Sequence, residues 1–216
     1  MNSFQHFQKV EHKLYGSLLQ DLNIKAQKFA KAIEGNVFND HHWRKRARLI
    51  DLLTLFQPKS FLEIGFNAGH SSAIVLSIVP IETYVAFDLG LHKYVKPNYN
   101  MLRKKFPKTD MTLILGDSTK TVPQFLLNTS EKYDFIHIDG GHRQDIAYQD
   151  IVNCKSLAHE NTILIMDDCT LHVDNISKPW IKGPTEATQK AISEGIVHEV
   201  CMGYHDCKQT ILKYNI

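Results

Sequence analysis

Apolar residues near the start of the chain recur at helical spacing. Phe7, Val10, Leu14, Leu18, Leu22 and Ile24 stand among polar neighbours, which predicts a helix over about 3–34 with Gly35 as its stop. A second helix is predicted from about Asp40 to Phe56, with Trp43, Ala47, Ile50 and Leu53 on one face. Asp40 suits an N-cap, and Pro58 disfavours helix in the residue before it. Beyond Pro58 the period changes. Short apolar runs at Ser60–Ile64, Tyr84–Phe87, Met111–Leu115, Phe135–Ile138 and Thr162–Met166 lie between turn residues, and segments long enough for a helix separate them. Near-continuous apolar strands alternating with helices predict a parallel sheet covered on both faces. The tail breaks this pattern. Val197–Met202 and Gln209–Tyr214 read as strands joined by Gly203-Tyr204-His205-Asp206. No helix fits between them, so they predict an antiparallel hairpin.

The 216 residues suffice for one domain with a sizeable core, divided as N-terminal helices over 1–57 and an α/β core over 58–216. A formal net charge of +2 gives no field that would draw the chain to nucleic acid, a membrane or an acidic partner. Cys154, Cys169, Cys201 and Cys207 form no CxxC pair, and a chain of this size needs no disulfide staples. Reduced thiols and a cytoplasmic location are therefore expected. No apolar signal segment opens the sequence. The longest apolar stretch, around Ala73 to Ile81, is interrupted by Ser77 and Pro80 and is too short to span a bilayer. Assembly as a homo-oligomer stays open.

Candidate chemistry gathers at the ends of the predicted strands. The first runs into Glu63-Ile64-Gly65-Phe66-Asn67-Ala68-Gly69-His70-Ser71. Glycines in a strand-to-helix turn let the backbone turn tightly and approach a ligand at a helix N-terminus. The dinucleotide fingerprint wants glycine at positions 65, 67 and 70, where this chain has Gly65, Asn67 and His70. That counts against an NAD-dependent oxidoreductase. Asp88 closes the second run, placed to accept both hydroxyls of a ribose. The third ends Asp117-Ser118, a pair that equally suits the cap of a helix starting near Thr119. All of these fall on the carboxyl edge of the sheet, where open α/β folds bind ligands.

The E-x-G-x-x-x-G turn, the strand-end acids and the terminal hairpin together resemble class I S-adenosylmethionine-dependent methyltransferases. The resemblance implies a Rossmann-like, mostly parallel seven-stranded sheet. It also implies S-adenosylmethionine as cofactor, with Gly65 and Gly69 flanking its methionine portion. Glu63 would order the loop or meet the amino group, and Asn67 and Ser71 belong to the same turn. Asp88 would hold the ribose, with Asp117 and Ser118 beside the adenine.

The fourth strand ends Asp139-Gly140-Gly141-His142 and the fifth ends Asp167-Asp168. Adjacent parallel strands would crowd three carboxylates, which repel one another unless a cation neutralises them. Hard oxygen ligands in this number suit Mg2+ or another divalent cation. The set resembles metal-dependent small-molecule O-methyltransferases of the catechol and macrolide-sugar types. That resemblance implies a metal site at Asp139, Asp167 and Asp168, with Asp139 also close to the cofactor, and His142 as general base. The implied acceptor is a small molecule or sugar, and the segment Thr170–Gly183, with Pro179 and Trp180, is a candidate lid. The rival to an enzyme is a binding module that has kept the fold, against which the intact acid set counts.

Other features carry less. Arg44-Lys45-Arg46-Ala47-Arg48 reads as the solvated face of the second helix rather than a nucleic-acid patch. His198, Cys201, His205 and Cys207 follow the faces and turn of the hairpin rather than a zinc site. His137, inside the fourth strand, is expected to be a satisfied core or edge residue.

Overall fold

The computed structural model describes residues 11–31, 33, 42–173, 176–200 and 208–216. The chain divides into two compact units.

The first unit comprises Met1–Lys59, Phe66–Thr83 and Gly90–Met111. Its first described element is a π-helical turn, His12–Gly16, that runs into α1, Ser17–Gln27. The helix therefore ends before the predicted stop, and Gly35 and Asp40 lie outside the described residues. Its buried face consists of Tyr15, Leu18, Leu19, Leu22 and Ala26, while Leu14 and Ile24 are exposed. Helices α2 (Trp43–Phe56), α3 (His70–Ile78) and α4 (Val95–Lys105) complete the unit.

The charged stretch of α2 is not a solvated face. Lys45, Arg46 and Arg48 are buried with Leu49, Leu52 and Leu53, whereas Trp43, Ala47 and Ile50 are only half-buried. For Arg46 the partner is a distant acid. The Arg46 guanidinium pairs with the buried carboxylate of Glu11, its second nitrogen lying 3.1 Å from Glu11 Oε2, and the Tyr15 hydroxyl donates to Glu11 at 2.7 Å. Burying a guanidinium is tolerable only when such a partner and its hydrogen bonds are present.

The second unit, Ser60–Gly65, Tyr84–Leu89 and Thr112–Ile216, carries the sheet. Its strands are β1 (Ser60–Ile64), β2 (Thr83–Asp88), β3 (Asp110–Leu115), β4 (Tyr133–Ile138), β5 (Ala158–Asp167), β6 (Val197–Glu199) and β7 (Gln209–Tyr214), in the order β3-β2-β1-β4-β5-β7-β6. Pairs β1/β4 and β4/β5 are parallel. Pairs β5/β7 and β6/β7 are antiparallel, so the predicted terminal hairpin is present. Strand β6 is shorter than its apolar run, and residues 201–207 lie outside the described set.

Helices α5 (Ser118–Leu126), α6 (Gln144–Lys155) and α7 (Pro179–Ser193) cover one face of the sheet. Alternation along each strand decides which side chains meet them. Leu62, Ile64, Ile136, Ile138, Leu164 and Met166 join Val122, Ala147, Ile151, Cys154, Ala187 and Ala191 in one core. The intervening positions, Phe61, Glu63, Phe135, His137, Ile165 and Asp167, occupy the other face and are buried as well. No helix among the described residues is long and apolar enough to cross a membrane.

Candidate active site

The candidate site begins where the strands stop. The ladder continues one step beyond them. Gly65 N–H donates to Phe87 O at 2.8 Å, Gly116 N–H to Asp88 O at 2.9 Å, and Asp139 N–H to Ile64 O at 2.8 Å. These bonds set Gly65, Asp88, Gly116 and Asp139 level along the carboxyl edge. Gly65 has φ +101°, and a Cβ on it would stand 2.0 Å from the Asp139 carbonyl oxygen. The close approach that demands glycine here is to the neighbouring β4 turn. Asp117 takes the capping role: its Oδ1 accepts from the Thr119 N–H at 3.1 Å and the Thr119 hydroxyl at 2.7 Å. Ser118 opens α5 and is half-buried.

Within the first unit, the turn after β1 runs through Asn67 to Gly69, the N-cap of α3. Asn67 adopts φ 48° and its side-chain oxygen accepts from the Tyr94 hydroxyl at 2.8 Å. Asn98 donates to Ala68 O at 2.8 Å, so two side chains pin this turn. Ser71 is half-buried in the first turn of α3. His70 is buried against Asn23, 2.7 Å from its Oδ1. Burial, and then the charge of Arg46, pushes the His70 pKa down to about 4, so the ring is neutral.

In the second unit, β4 and β5 bring the metal-type residues together. Ile138 stands opposite Met166, which sets Asp139 beside Asp167 at the edge. Asp168 turns into the left-handed region, with φ 47°, and its N–H donates to Asp167 Oδ1 at 2.7 Å. This turn divides the acids between two groups. Asp139 and Asp167 gather with His137, and Asp139 and Asp168 gather with His142. Within each group the prospective ligand atoms lie within 4.8 Å of one another. Asp139 belongs to both.

His142 is 45% exposed at its side chain, with Nε2 3.4 Å from Asp168 Oδ2. That contact raises its pKa against the opposing effect of burial, and the charge of Asp139 adds to the rise. The turn that carries it is held by close packing: a Cβ on Gly183 of α7 would lie 2.0 Å from the His142 carbonyl oxygen. Pro179 opens that helix, and Trp180 is exposed on it.

His137 is not the satisfied residue its strand position suggested. It is 3% exposed, and neither ring nitrogen has a hydrogen-bond partner among the described residues. Nδ1 is 3.6 Å from Glu63 Oε1 and Nε2 is 3.9 Å from Asp167 Oδ2. Burial pulls its pKa down, but Glu63, Asp167 and Asp139 outweigh it and the net direction is up. Glu63 is fully buried, opposite His137 in the β1/β4 register, and its carboxylate accepts from the Tyr84 hydroxyl. Strand alternation could have flagged this: residues 63 and 65, or 137 and 139, share a face.

A further acid lies beneath the edge. Asp150 of α6 is fully buried, and neither carboxylate oxygen has a hydrogen-bond partner among the described residues. One oxygen is 3.4 Å from where a Cβ of Gly140 would sit. Burial pushes its pKa up to about 7, against a pull from the Ser118 side chain. It shares the buried stripe of α6 with Ala147, Ile151 and Cys154.

Taken chemically, the edge offers acceptors for hydroxyl and amino groups, two carboxylate-plus-histidine groups fit for a cation, and one accessible imidazole. Residues 62–169 match the profile of the family described as a methyltransferase domain. No curated protein sequence matches the chain. Solved structures with similar folds include the O-methyltransferase of Bacillus cereus in complex with SAH, at 13% identity and TM-score 0.67, covering 98% of this chain and 100% of that one. The O-methyltransferase TomG of Streptomyces achromogenes, involved in tomaymycin synthesis and solved with SAM, is 15% identical with TM-score 0.64, covering 99% of each chain. Cofactor-bound Rv0187 from MTB is 12% identical with TM-score 0.70, covering 99% of this chain and 98% of that one.

Proposed function

Because this chain belongs to the family of methyltransferase domains, we propose that it is an S-adenosylmethionine-dependent O-methyltransferase that uses a divalent cation, Mg2+ or another, to methylate a hydroxyl of a small molecule or sugar. One observation carries this reading: Asp139 is shared between two carboxylate-plus-histidine groups at the ends of adjacent strands, on the same edge as Asp88. The O-methyltransferases of similar fold, solved with SAH or SAM, support the choice of cofactor and of oxygen as acceptor.

The residues present fit both groups. Asp88 and Asp139 are carboxylate acceptors on the edge, suited to ribose hydroxyls and to the polar end of a nucleoside cofactor. Asp117 and Ser118 belong to the cofactor set of the second unit. S-adenosylmethionine supplies the electrophilic methyl group. Asp139, Asp167 and Asp168 would hold the cation, which when bound lowers the pKa of a coordinated hydroxyl and fixes its position.

The remaining chemistry is the protein's own. His142 takes the hydroxyl proton as general base through Nδ1, since Nε2 faces Asp168. Asp168, 3.4 Å away, orients that ring and stabilises it once protonated. Gly183 keeps the backbone of α7 against the His142 turn, so the base is carried on a held loop. An anion meeting a sulfonium loses charge as they react, so excluding water from the reacting atoms favours the step.

Calorimetry with S-adenosylmethionine and S-adenosylhomocysteine, followed by methyl-transfer assays on diols, catechols and sugars with and without EDTA, tests the reading. Heat with both ligands and activity that EDTA removes and Mg2+ or Mn2+ restores are expected. Folded protein giving no heat at millimolar ligand would reject the cofactor. Full activity in excess EDTA would reject the cation.

A further inference from the structure

We infer that the cation is held by His137 together with Asp139 and Asp167, with Glu63 as the outer partner of the histidine, and that the site therefore prefers a transition ion such as Mn2+ or Co2+ to Mg2+. This rests on the divalent-cation reading above, replaces Asp168 in its ligand set with His137, and names the class of ion.

The argument starts from an unsatisfied group. An imidazole buried near the carboxyl end of β4 with neither nitrogen hydrogen-bonded among the described residues leaves stranded polar atoms, which is costly. Its neighbours stand at the wrong distance for a direct bond. Nε2 to Asp167 Oδ2 is 3.9 Å, well beyond hydrogen-bond range. Two donors bound to one ion at about 2.0–2.2 Å each are separated by roughly 3–4.4 Å. The gap therefore fits an ion between the groups, and Asp139 lies within the same 4.8 Å cluster to supply a third ligand.

The other ring nitrogen supports this. Nδ1 lies 3.6 Å from Glu63 Oε1, while the other oxygen of that carboxylate accepts from the Tyr84 hydroxyl. A carboxylate behind the distal nitrogen sets the tautomer that leaves Nε2 as a bare donor, the usual arrangement around a metal-bound histidine. A nitrogen donor in the set shifts preference from Mg2+ toward later first-row ions. The outer group competes through His142, but that ring is 45% exposed, whereas His137 is buried.

The test uses the full chain stripped with chelator and then loaded with Mn2+. Calorimetry should show Mn2+ binding at least about tenfold more tightly than Mg2+, as a nitrogen ligand predicts. Pulsed electron paramagnetic resonance of the bound Mn2+ should show imidazole nitrogen coupling. That coupling should persist in His142→Gln and vanish in His137→Gln. Glu63→Gln should weaken Mn2+ by about 10–100-fold with the coupling retained. Should His137→Gln fail to fold, the His142→Gln spectrum decides alone. Coupling lost in His142→Gln would place the ion in the outer group and overturn the inference while leaving a cation-dependent enzyme. So would Mn2+ bound with no nitrogen coupling in the wild type. No binding of either ion at millimolar concentration would overturn the cation reading together with it.

Discussion

Replacing Asp150 with asparagine should stabilise the protein at neutral pH, and by an amount that depends on pH in a defined way. Asp150 is fully buried on the core side of α6, with neither oxygen hydrogen-bonded among the described residues. Burial raises its pKa from 3.8 to about 7. The direction is opposite to that of a salt-bridged acid. Between these values the unfolded chain gives up the proton while the folded chain keeps it. Native protein then binds more protons than unfolded, so stability falls as pH rises through this window. At about 1.36 kcal/mol per pH unit, the loss reaches about 4 kcal/mol above neutrality, to order of magnitude. Asparagine has nearly the same shape and no proton to lose. Its amide is left unpaired too, at a cost of about 1–3 kcal/mol that is the same at every pH. The slope, not the offset, is therefore diagnostic. Urea unfolding followed by circular dichroism at intervals between about pH 4 and 8 gives the stability difference between variant and wild type. That difference should move toward the variant by about 4 kcal/mol over this range and level off near the top. A difference that stays flat with pH would mean the carboxylate is paired in solution and would refute the reasoning.

Three further outcomes follow from the same geometry. His142→Ala should lower kcat by roughly 10²–10⁴ with cofactor affinity unchanged, and should remove the limb of the pH–rate profile along which activity rises as the imidazole loses its proton; near-normal kcat would end its assignment as base. Asp88→Ala should weaken S-adenosylhomocysteine binding by about 1.5–3 kcal/mol in calorimetry, the range for hydrogen bonds to a charged group, and an unchanged Kd would remove it from the ribose contact. Arg46→Ala should cost about 3–5 kcal/mol in chemical unfolding, because Glu11 is left as a buried uncompensated charge, and a loss under about 1 kcal/mol would show the pair to be solvated.

Local pattern was enough to specify the elements. Each of the five apolar runs became a strand, and Ser60–Ile64 did so with both ends as expected, because a strand buried on two faces is mostly apolar. The family resemblance likewise placed the acids on one edge: Asp88 and Asp167 are the last residues of β2 and β5, and Asp139 follows β4 directly. What local pattern could not specify was the choice among chemically permissible surroundings. Arg44–Arg48 has the composition of a solvated face, and Glu11, 35 residues from Arg46, gives the buried guanidinium a partner. Asp117 suited both a ligand and a helix cap, and the Thr119 N–H two residues on is what the structure shows it holding. Three aspartates at two strand ends read as one cluster. The left-handed turn at Asp168 and the β1/β4 register, which sets Glu63 opposite His137, divide them between two histidines. Periodicity along a chain reports which residues must leave water. Which buried charge meets which partner depends on register and chain reversal, and these are set by contacts between segments far apart in sequence.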